Sequence, residues 1–399
     1  MGTICIINKR KTAMDSMEKY NGHKTLYLVS STKGMGGTER LFDNCIHNKE
    51  FFNNVIFCCF YPPIDKSLLM FYKNNGVVLL SRQRWPYLSK ILLQYPIIMS
   101  KMISLIKTNN IRIVHVHDNL GMLFVVAAKL FVNIRVIRTF HGAVDNYLQL
   151  EHICYRFLRR WVYQAIFVSE SFMKLYAKIN QMELEQLRGR LVYNGIRCNG
   201  IEINKAFRHP RNRFRFIMVG NYTGGRDQLF IIKTFQNVLH YFPDSSLWLI
   251  GNYTDGKESE IRYSQCVDYS KSNNIDNIVK FVQNVTDVFP YLTQSDVFIY
   301  ESTRDTFGIA IVEAMMCGLP CIVNDLDVFQ EISNDGEFAV LFKTGDIDDC
   351  VEKTLSVLNS YEYHKERAMS NISKVREKYS MERYAKNLNE VYQEAARGM

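Results

Sequence analysis

The chain has 399 residues, of which 47% are hydrophobic and 22% are charged, and its formal net charge is +9. That length predicts two domains, because one hydrophobic core seldom grows so large. No apolar run reaches the length of a membrane span, and the ten cysteines lack the spacing of a zinc site or a disulfide framework. Scattered cysteines are typical of a reducing cytosol.

Residues 1–24 are predicted to be an N-terminal extension, because their short apolar piece precedes the basic residues, the reverse of a secretory signal. Six strand-length apolar runs follow, separated by segments of helix length. This alternation predicts a parallel sheet covered on both faces, here an N-terminal Rossmann-like domain over residues 25–196. The runs are Leu26–Val29, Val55–Cys58, Val77–Leu80, Ile111–Val114, Val136–Phe140 and Ile166–Val168.

A polar, basic connector precedes a second series of six runs, which predicts a C-terminal Rossmann-like domain over residues 197–380. Ligands of such sheets bind outside the carboxyl ends of the strands, so we expect a cleft between the two domains. Apolar residues at helical spacing predict a final helix within residues 381–399. The runs are Phe216–Val219, Leu247–Ile250, Val279–Val282, Val297–Tyr300, Cys321–Val323 and Val340–Phe342.

Three strand ends carry polar or glycine-rich segments that suit a ligand. Gly36 and Gly37 form a turn from the first strand into a helix, where the backbone can approach a phosphate or a sugar closely. His141 ends a strand at the predicted cleft and is a candidate for polar or acid–base contact. Arg226 lies in the glycine-rich turn after the first strand of the second domain, and arginine binds phosphate bidentately.

His115 and His117 alternate along one strand, so both point to one face of the sheet. A metal site could be imagined from these histidines and Asp118. Packing and hydrogen bonding at the strand end is the favoured interpretation, because no further ligand set is evident. We predict no metal site.

The segment Glu301–Asn324 reads as loop, helix, turn and strand. Asp305 lies just ahead of the helix N-terminus, and Glu313 lies about two turns inside the helix. Free N–H groups at a helix N-terminus attract phosphate, and a carboxylate accepts hydrogen bonds from sugar hydroxyls. The segment therefore predicts a nucleotide-sugar site. An ordinary capped helix is the alternative, but it leaves the spacing of the two acids unexplained.

This segment resembles the donor site of the family 4 retaining glycosyltransferases, in which two acids seven residues apart are followed by alanine, a small residue, glycine and proline. Asp305 stands where the family more often has glutamate. The resemblance extends over almost the whole chain from Thr25 onward. It implies an α/β protein of GT-B architecture, with two Rossmann-like domains whose parallel sheets face a central cleft. It also implies that the final helix crosses back to the N-terminal domain, although packing within its own domain is the alternative.

The resemblance implies roles for individual residues. Glu313 would bind the ribose hydroxyls, Asp305 the donor sugar, and the backbone of residues 307–309 the sugar and phosphate. Asn221 and Arg226 replace an arginine and a lysine that grip the diphosphate. The implied catalytic residues are His141, Arg226 and Asp305. The implied donor-binding residues are Gly36, Gly37, Asn221, Arg226, Asp305, Thr306, Phe307, Gly308, Ile309 and Glu313.

The implied reaction is transfer of a hexose from a UDP- or GDP-sugar to a saccharide acceptor with retention of anomeric configuration. No bound cofactor and no metal is required. The sequence variants look most like bacterial enzymes of capsule, O-antigen or exopolysaccharide assembly, whose acceptors are lipid-linked saccharides. Two alternatives stay open: a nucleotide-sugar epimerase or phosphorylase of the same fold, and an inactive nucleotide-sugar-binding protein, which the departures at Asn221 and Asp305 favour.

Basic and aromatic residues cluster in the first half, in Arg82–Tyr87 and Arg156–Trp161. Such surfaces suit an anionic bilayer, and equally a helix with a solvated basic face. We therefore expect a cytoplasmic protein, with attachment to the inner face of the membrane as an open alternative. No nucleic-acid-binding motif accompanies the positive charge, so nucleic acid is not an expected partner.

Overall fold

A computed structural model of the protein describes residues 23–29, 37–63, 65–81, 88–142, 158–197, 213–253 and 256–397, the side chains of 88–93 excepted. Gly36 lies outside these ranges. Of the two basic clusters, only residues 158–161 lie within them. The described chain forms two lobes, each built on a parallel β-sheet with helices.

The N-terminal sheet has seven strands in the order β3-β2-β1-β4-β5-β6-β7, and every neighbouring pair is parallel. Its strands are β1 Lys24–Val29, β2 Val55–Cys59, β3 Val78–Leu79, β4 Ile111–Val116, β5 Arg135–Phe140, β6 Val162–Phe167 and β7 Gly189–Leu191. The helices of this lobe are α1 Gly37–His47, α2 Lys66–Asn74, α3 Leu88–Thr108, α4 Asn119–Ala128 and α5 Glu170–Ile179.

The C-terminal sheet has six parallel strands in the order β10-β9-β8-β11-β12-β13. Its strands are β8 Arg215–Val219, β9 Ser246–Ile250, β10 Val279–Val282, β11 Val297–Tyr300, β12 Cys321–Asn324 and β13 Val340–Phe342. The helices are α6 Gln228–Val238, α7 Lys257–Ser272, α8 Phe289–Leu292, α9 Ile309–Met316, α10 Asp327–Ile332, α11 Ile347–Asn359, α12 Tyr361–Tyr379 and α13 Met381–Ala396.

Central strands are buried along their whole length, which is why the sequence shows continuous apolar runs rather than alternation. All four residues of β11 are buried, and so are all four residues of β12. Helices on both faces of a parallel sheet require this pattern, because neither face of the strand meets water. The sequence prediction of two parallel α/β sheets is confirmed.

The chain crosses between the lobes at Ile196 and again at Ser380. The two crossings are hydrogen-bonded, since the Ile196 amide donates to the Tyr379 carbonyl at 2.8 Å and the Met381 amide donates to the Ile196 carbonyl at 3.2 Å. Gly195 permits this approach, because a β-carbon there would lie 2.7 Å from Cβ of Tyr384. The two connections between the lobes therefore run side by side.

Helix α13 follows the second crossing and packs against the N-terminal sheet. Its buried residues Leu388 and Tyr392 belong to the same apolar cluster as Tyr27 and Ile113. The Asn389 amide also donates to a backbone carbonyl of that lobe at 3.1 Å. Helix α13 thus covers one face of the N-terminal sheet, although it follows the C-terminal lobe in the chain.

Candidate active site

Both sheets reverse their strand order at one place, between β1 and β4 in the first lobe and between β8 and β11 in the second. In open α/β sheets, ligands bind at such switch points, outside the carboxyl ends of the strands. The described segments that leave β4, β8 and β11 are therefore the candidate site. They include His117, Asn221 and Asp305.

The loop before helix α9 contacts the N-terminal lobe directly. The Thr306 hydroxyl donates to the backbone carbonyl of His141 at 2.7 Å, and the Ser169 hydroxyl donates to the Thr306 carbonyl at 2.7 Å. Gly37 lies close to Ile309, because a β-carbon added to Gly37 would be 3.3 Å from Cδ1 of Ile309. The structure therefore brings His141, Gly37 and the α9 loop to one place between the lobes.

A second contact between the lobes involves Glu331 on helix α10. Its carboxylate accepts hydrogen bonds from the amides of Glu170 and Ser171 at 2.7 and 2.8 Å, and from the Ser171 hydroxyl at 2.7 Å. These amides are the free donors at the N-terminus of α5, where a negative charge is stabilised. Glu331 thus helps hold the lobes together beside the α9 loop.

Glu313 forms an ion pair across the cleft with Arg40 of helix α1. One guanidinium nitrogen, Nη1, lies 3.0 Å from Oε1 and 3.1 Å from Oε2 of the carboxylate. The Glu313 side chain is 3% exposed and that of Arg40 is 16% exposed. Burial raises the pKa of the Glu313 carboxyl, and Arg40 opposes that shift. The charge of Glu313 therefore depends on a residue of the other lobe.

Asp305 organises the loop in front of α9. Its Oδ1 accepts hydrogen bonds from the amides of Thr306, Phe307 and Gly308 at 2.7, 3.1 and 3.1 Å. Gly308 has a φ of 82°, in the left-handed region that glycine favours. The carboxylate thus occupies an anion-binding turn of backbone amides, including two of those that sequence reasoning assigned to sugar and phosphate.

Arg226 and Asp305 are joined through Tyr300, the last residue of β11. Arg226 Nε donates to the Tyr300 hydroxyl at 2.8 Å, and Nη1 donates to the Thr223 hydroxyl at 3.0 Å. Burial raises the pKa of Tyr300 to about 12, an effect to which Asp305 adds and which Arg226 opposes. Two hydrogen bonds therefore hold the guanidinium in place next to the acid.

Asn221 ties neighbouring strand ends together. Its Oδ1 accepts from the Asn252 amide at 3.0 Å, and Asn252 Oδ1 accepts in turn from the Asn284 amide at 2.7 Å. These residues follow β8, β9 and β10, so the relay fixes the turns along that edge of the sheet. The side-chain oxygen of Asn221 therefore stabilises the turn by accepting this hydrogen bond.

His141 is half-buried and hydrogen-bonded to His117, with 2.8 Å between His141 Nε2 and His117 Nδ1. Burial, together with the nearby charge of Arg138, lowers the pKa of His141 to about 3. The imidazole is therefore neutral at pH 7. His115 has both ring nitrogens engaged, by the hydroxyls of Tyr392 and Thr139 at 2.7 Å each.

Across the ranges that the structure describes, no group of three or more His, Cys, Asp or Glu side chains is arranged to hold a metal ion. In the same ranges, none of the helices combines the length and the apolar character that a bilayer span needs.

Sequence reasoning missed three residues that the structure places in the site: Arg40, Tyr300 and Glu331. Arg40 lies one helical turn beyond Gly37, so a basic residue directly after a glycine-rich turn was the available signal. Tyr300 ends the strand before the acid pair. The alternation of side chains along that strand could have indicated which way its hydroxyl points. For Glu331, sequence carried no signal, because its partners are backbone amides more than 150 residues away.

Two protein-family models match the chain, one to each lobe. "Glycosyltransferase Family 4" matches residues 53–199, and "Glycosyl transferases group 1" matches residues 201–375. The boundary between the two matches falls close to the first crossing at Ile196.

Two curated relatives match more than half of this chain at low sequence identity. The N-acetyl-alpha-D-glucosaminyl L-malate synthase of Bacillus anthracis is 22% identical over 317 residues, 76% of this chain and 81% of that protein. The UDP-Gal:alpha-D-GlcNAc-diphosphoundecaprenol alpha-1,3-galactosyltransferase of Escherichia coli is 24% identical over 273 residues, 63% of this chain and 68% of that protein.

Among solved structures, Anabaena HepE in complex with UDP and glucose superimposes with a TM-score of 0.76. The match covers 93% of this chain and 99% of the Anabaena chain at 15% identity, which supports the fold alone. Together with the two sheets, it confirms the predicted GT-B architecture.

The Arg40–Glu313 pair makes stability depend on pH in a predictable direction. Replacing one member of a buried pair costs about 3 kcal/mol, because it leaves the other charge uncompensated. Burial already raises the folded-state pKa of Glu313, and in Arg40→Met the loss of the opposing charge raises it further, so protonation at low pH relieves the cost of the buried carboxylate. We expect Arg40→Met to be destabilised at pH 8 and much less so at pH 5, measured by urea unfolding.

The matched control is the double variant Arg40→Met/Glu313→Gln, which has no buried charge at this position. Its stability relative to the wild-type protein is expected to vary little between the two pH values. An Arg40→Met variant whose loss of stability is the same at pH 5 and pH 8 would contradict the ion pair.

Proposed function

This chain is a glycosyltransferase of GT-B fold, and we propose that it transfers a hexose from a UDP- or GDP-sugar to a saccharide acceptor with retention of anomeric configuration. The observation that carries the proposal is the meeting of the α9 loop with His141 between the lobes. Arg226 and Asp305 flank Tyr300 on the same side of the C-terminal lobe, and Gly37 at the start of α1 lies opposite Ile309.

The donor nucleotide would lie against the C-terminal lobe. Glu313 would accept hydrogen bonds from the ribose hydroxyls, with Arg40 keeping its carboxylate charged when the cleft is closed. Asp305 would bind hydroxyls of the donor sugar, and the backbone of Thr306, Phe307, Gly308 and Ile309 would line the sugar and phosphate. Gly36, Gly37 and Asn221 would border the same pocket.

Arg226 would stabilise the leaving diphosphate. Negative charge grows on the phosphate as the glycosidic bond breaks, and a fixed cation lowers the energy of that state without having to reorganise. Tyr300 and Thr223 fix the guanidinium beforehand. Arginine binds phosphate bidentately, so one arginine partly replaces the two cations usual in the family.

Retention would follow from attack by the acceptor on the same face from which the diphosphate leaves, which needs no protein nucleophile. His141 would contact the donor sugar or the acceptor as a neutral imidazole. Closure of the lobes, held by Thr306 and Glu331, would exclude water and limit hydrolysis of the donor. A bound cofactor or a metal has no assigned role in this scheme.

The proposed acceptor is a lipid-linked saccharide, and the pathway is bacterial surface polysaccharide assembly of the capsule, O-antigen or lipopolysaccharide type. The E. coli relative is named for a diphosphoundecaprenol-linked acceptor. Leu130 and Phe131, 76% and 62% exposed, follow helix α4 beside Lys129, a combination that suits the interface of an anionic bilayer. We place the protein in the cytoplasm, at the inner face of the membrane.

The activity test is mass spectrometry of products from UDP-, GDP-, ADP- and CMP-sugars, with and without a saccharide acceptor. We expect transfer from a UDP- or GDP-sugar. Glu313→Gln should lower kcat/KM by about 10- to 100-fold, because it replaces hydrogen bonds to a charged group by neutral ones. Glu352→Gln, an exposed acid on α11, is the matched control and should leave the rate unchanged.

Other products would point to other functions. A free epimer would identify an epimerase, and a sugar phosphate formed from inorganic phosphate would identify a phosphorylase. Binding of every donor without turnover would identify an inactive nucleotide-sugar-binding protein. An unchanged transfer rate in Glu313→Gln would refute the assignment of the ribose site.

The membrane proposal is tested by flotation with liposomes that contain phosphatidylglycerol. The wild-type protein should float at low salt and be released as salt rises, because screening weakens attraction to an anionic surface. Leu130→Ser/Phe131→Ser should bind at least about a hundredfold more weakly, since burial of each apolar side chain contributes about 1.5 to 3 kcal/mol and each 1.4 kcal/mol is a factor of ten. Tyr241→Ser, an equally exposed aromatic of the other lobe, is the control. Absence of binding at low salt rejects the proposal.

A further inference from the structure

The histidine pair at the ends of β4 and β5 has an unusual hydrogen-bond arrangement. β4 and β5 are parallel neighbours, with Val116 opposite Arg138, so His117 and His141 leave the sheet side by side. His117 is 5% exposed and stacks on Tyr27 with 4.1 Å between ring centroids. Its Nδ1 lies 2.8 Å from Nε2 of His141.

The other nitrogen of His117, Nε2, lacks a hydrogen-bond partner among the described residues. His117 Nε2 is fully buried, and no hydrogen-bonding atom lies within reach of it in the described part of the chain. Burial lowers the pKa of both His117 and His141, and the charge of Arg138 acts in the same direction. Both rings are therefore neutral, and each carries one N–H.

Two neutral imidazoles that share one hydrogen bond allow two arrangements. If His141 donates from Nε2, His117 must carry its proton on Nε2, which buries an N–H without an acceptor. If His117 donates from Nδ1, its Nε2 is a bare lone pair, and His141 carries its proton on Nδ1. The two arrangements give His141 opposite properties at Nδ1: an acceptor in the first and a donor in the second.

The unpartnered Nε2 selects the second arrangement. Buried N–H groups without an acceptor are rarer in proteins than acceptors without a donor. The second arrangement, with a proton on His117 Nδ1 and a bare Nε2, is therefore favoured.

We propose that His117 is a positioning residue that fixes the tautomer of His141, so that His141 acts on substrate as a hydrogen-bond donor through Nδ1 and not as a general base. The proposal rests on the proposed role of His141 in the cleft. The ring of His141 is further fixed through its own backbone, because its carbonyl accepts from Thr306 of the opposite lobe. Its natural partner is a hydroxyl or phosphate oxygen of the bound donor or acceptor.

The tautomer is measured by two-bond ¹H–¹⁵N correlation spectra of protein with ¹⁵N-labelled histidine rings, assigned with His117 and His141 variants. We expect wild-type His141 to be protonated on Nδ1. In His117→Leu the donor is lost, so His141 should change tautomer, and kcat/KM should fall about tenfold because the substrate contact is misplaced. In His117→Asn an amide donor stands near the position of Nδ1, so the tautomer and most of the rate should be retained.

A wild-type His141 protonated on Nε2 overturns the proposal, and so does a His117→Leu variant that keeps the Nδ1 proton on His141. Equal rates in His117→Leu and His117→Asn would reduce His117 to a packing residue. If His117→Leu fails to fold, the wild-type and His117→Asn spectra still decide. An unchanged rate in His141→Ala alongside the expected tautomer would instead refute the proposed role of His141 and leave the tautomer assignment standing.

Discussion

The contact of the α9 loop with the N-terminal lobe is the interaction on which the site depends. Thr306 of the loop is hydrogen-bonded to the backbone of His141. Glu313, which lies inside α9, forms an ion pair with Arg40 of the N-terminal lobe. The candidate site therefore draws its polar groups from both lobes. The strand order places the two halves at matching switch points, and these contacts set the distance between them.

The two acidic side chains of the site have partners within the protein. Asp305 takes three backbone amides, and Glu313 takes the guanidinium of Arg40. Buried charges without partners are costly, so these internal contacts stabilise the cleft.

Sequence reasoning recovered what depends on local pattern. Each predicted apolar run coincides with a strand, because a strand buried on both faces leaves a continuous run. The short edge strand Gly189–Leu191 was missed, since three partly exposed residues leave no such run. The spacing of Asp305 and Glu313 was enough to propose them as a site. The Arg40–Glu313 pair joins residues 273 positions apart, and the tautomer of His141 depends on a neighbouring strand, so neither was open to prediction from one sequence.

Hydrogen–deuterium exchange with and without UDP or GDP tests most directly whether one ligand engages both lobes. The two-lobe site predicts that the nucleotide slows exchange in α1, at residues 37–47, and also in the loop and helix at residues 305–316, while the distant helix α11 is unaffected. Protection confined to a single lobe, or located away from both segments, would contradict it.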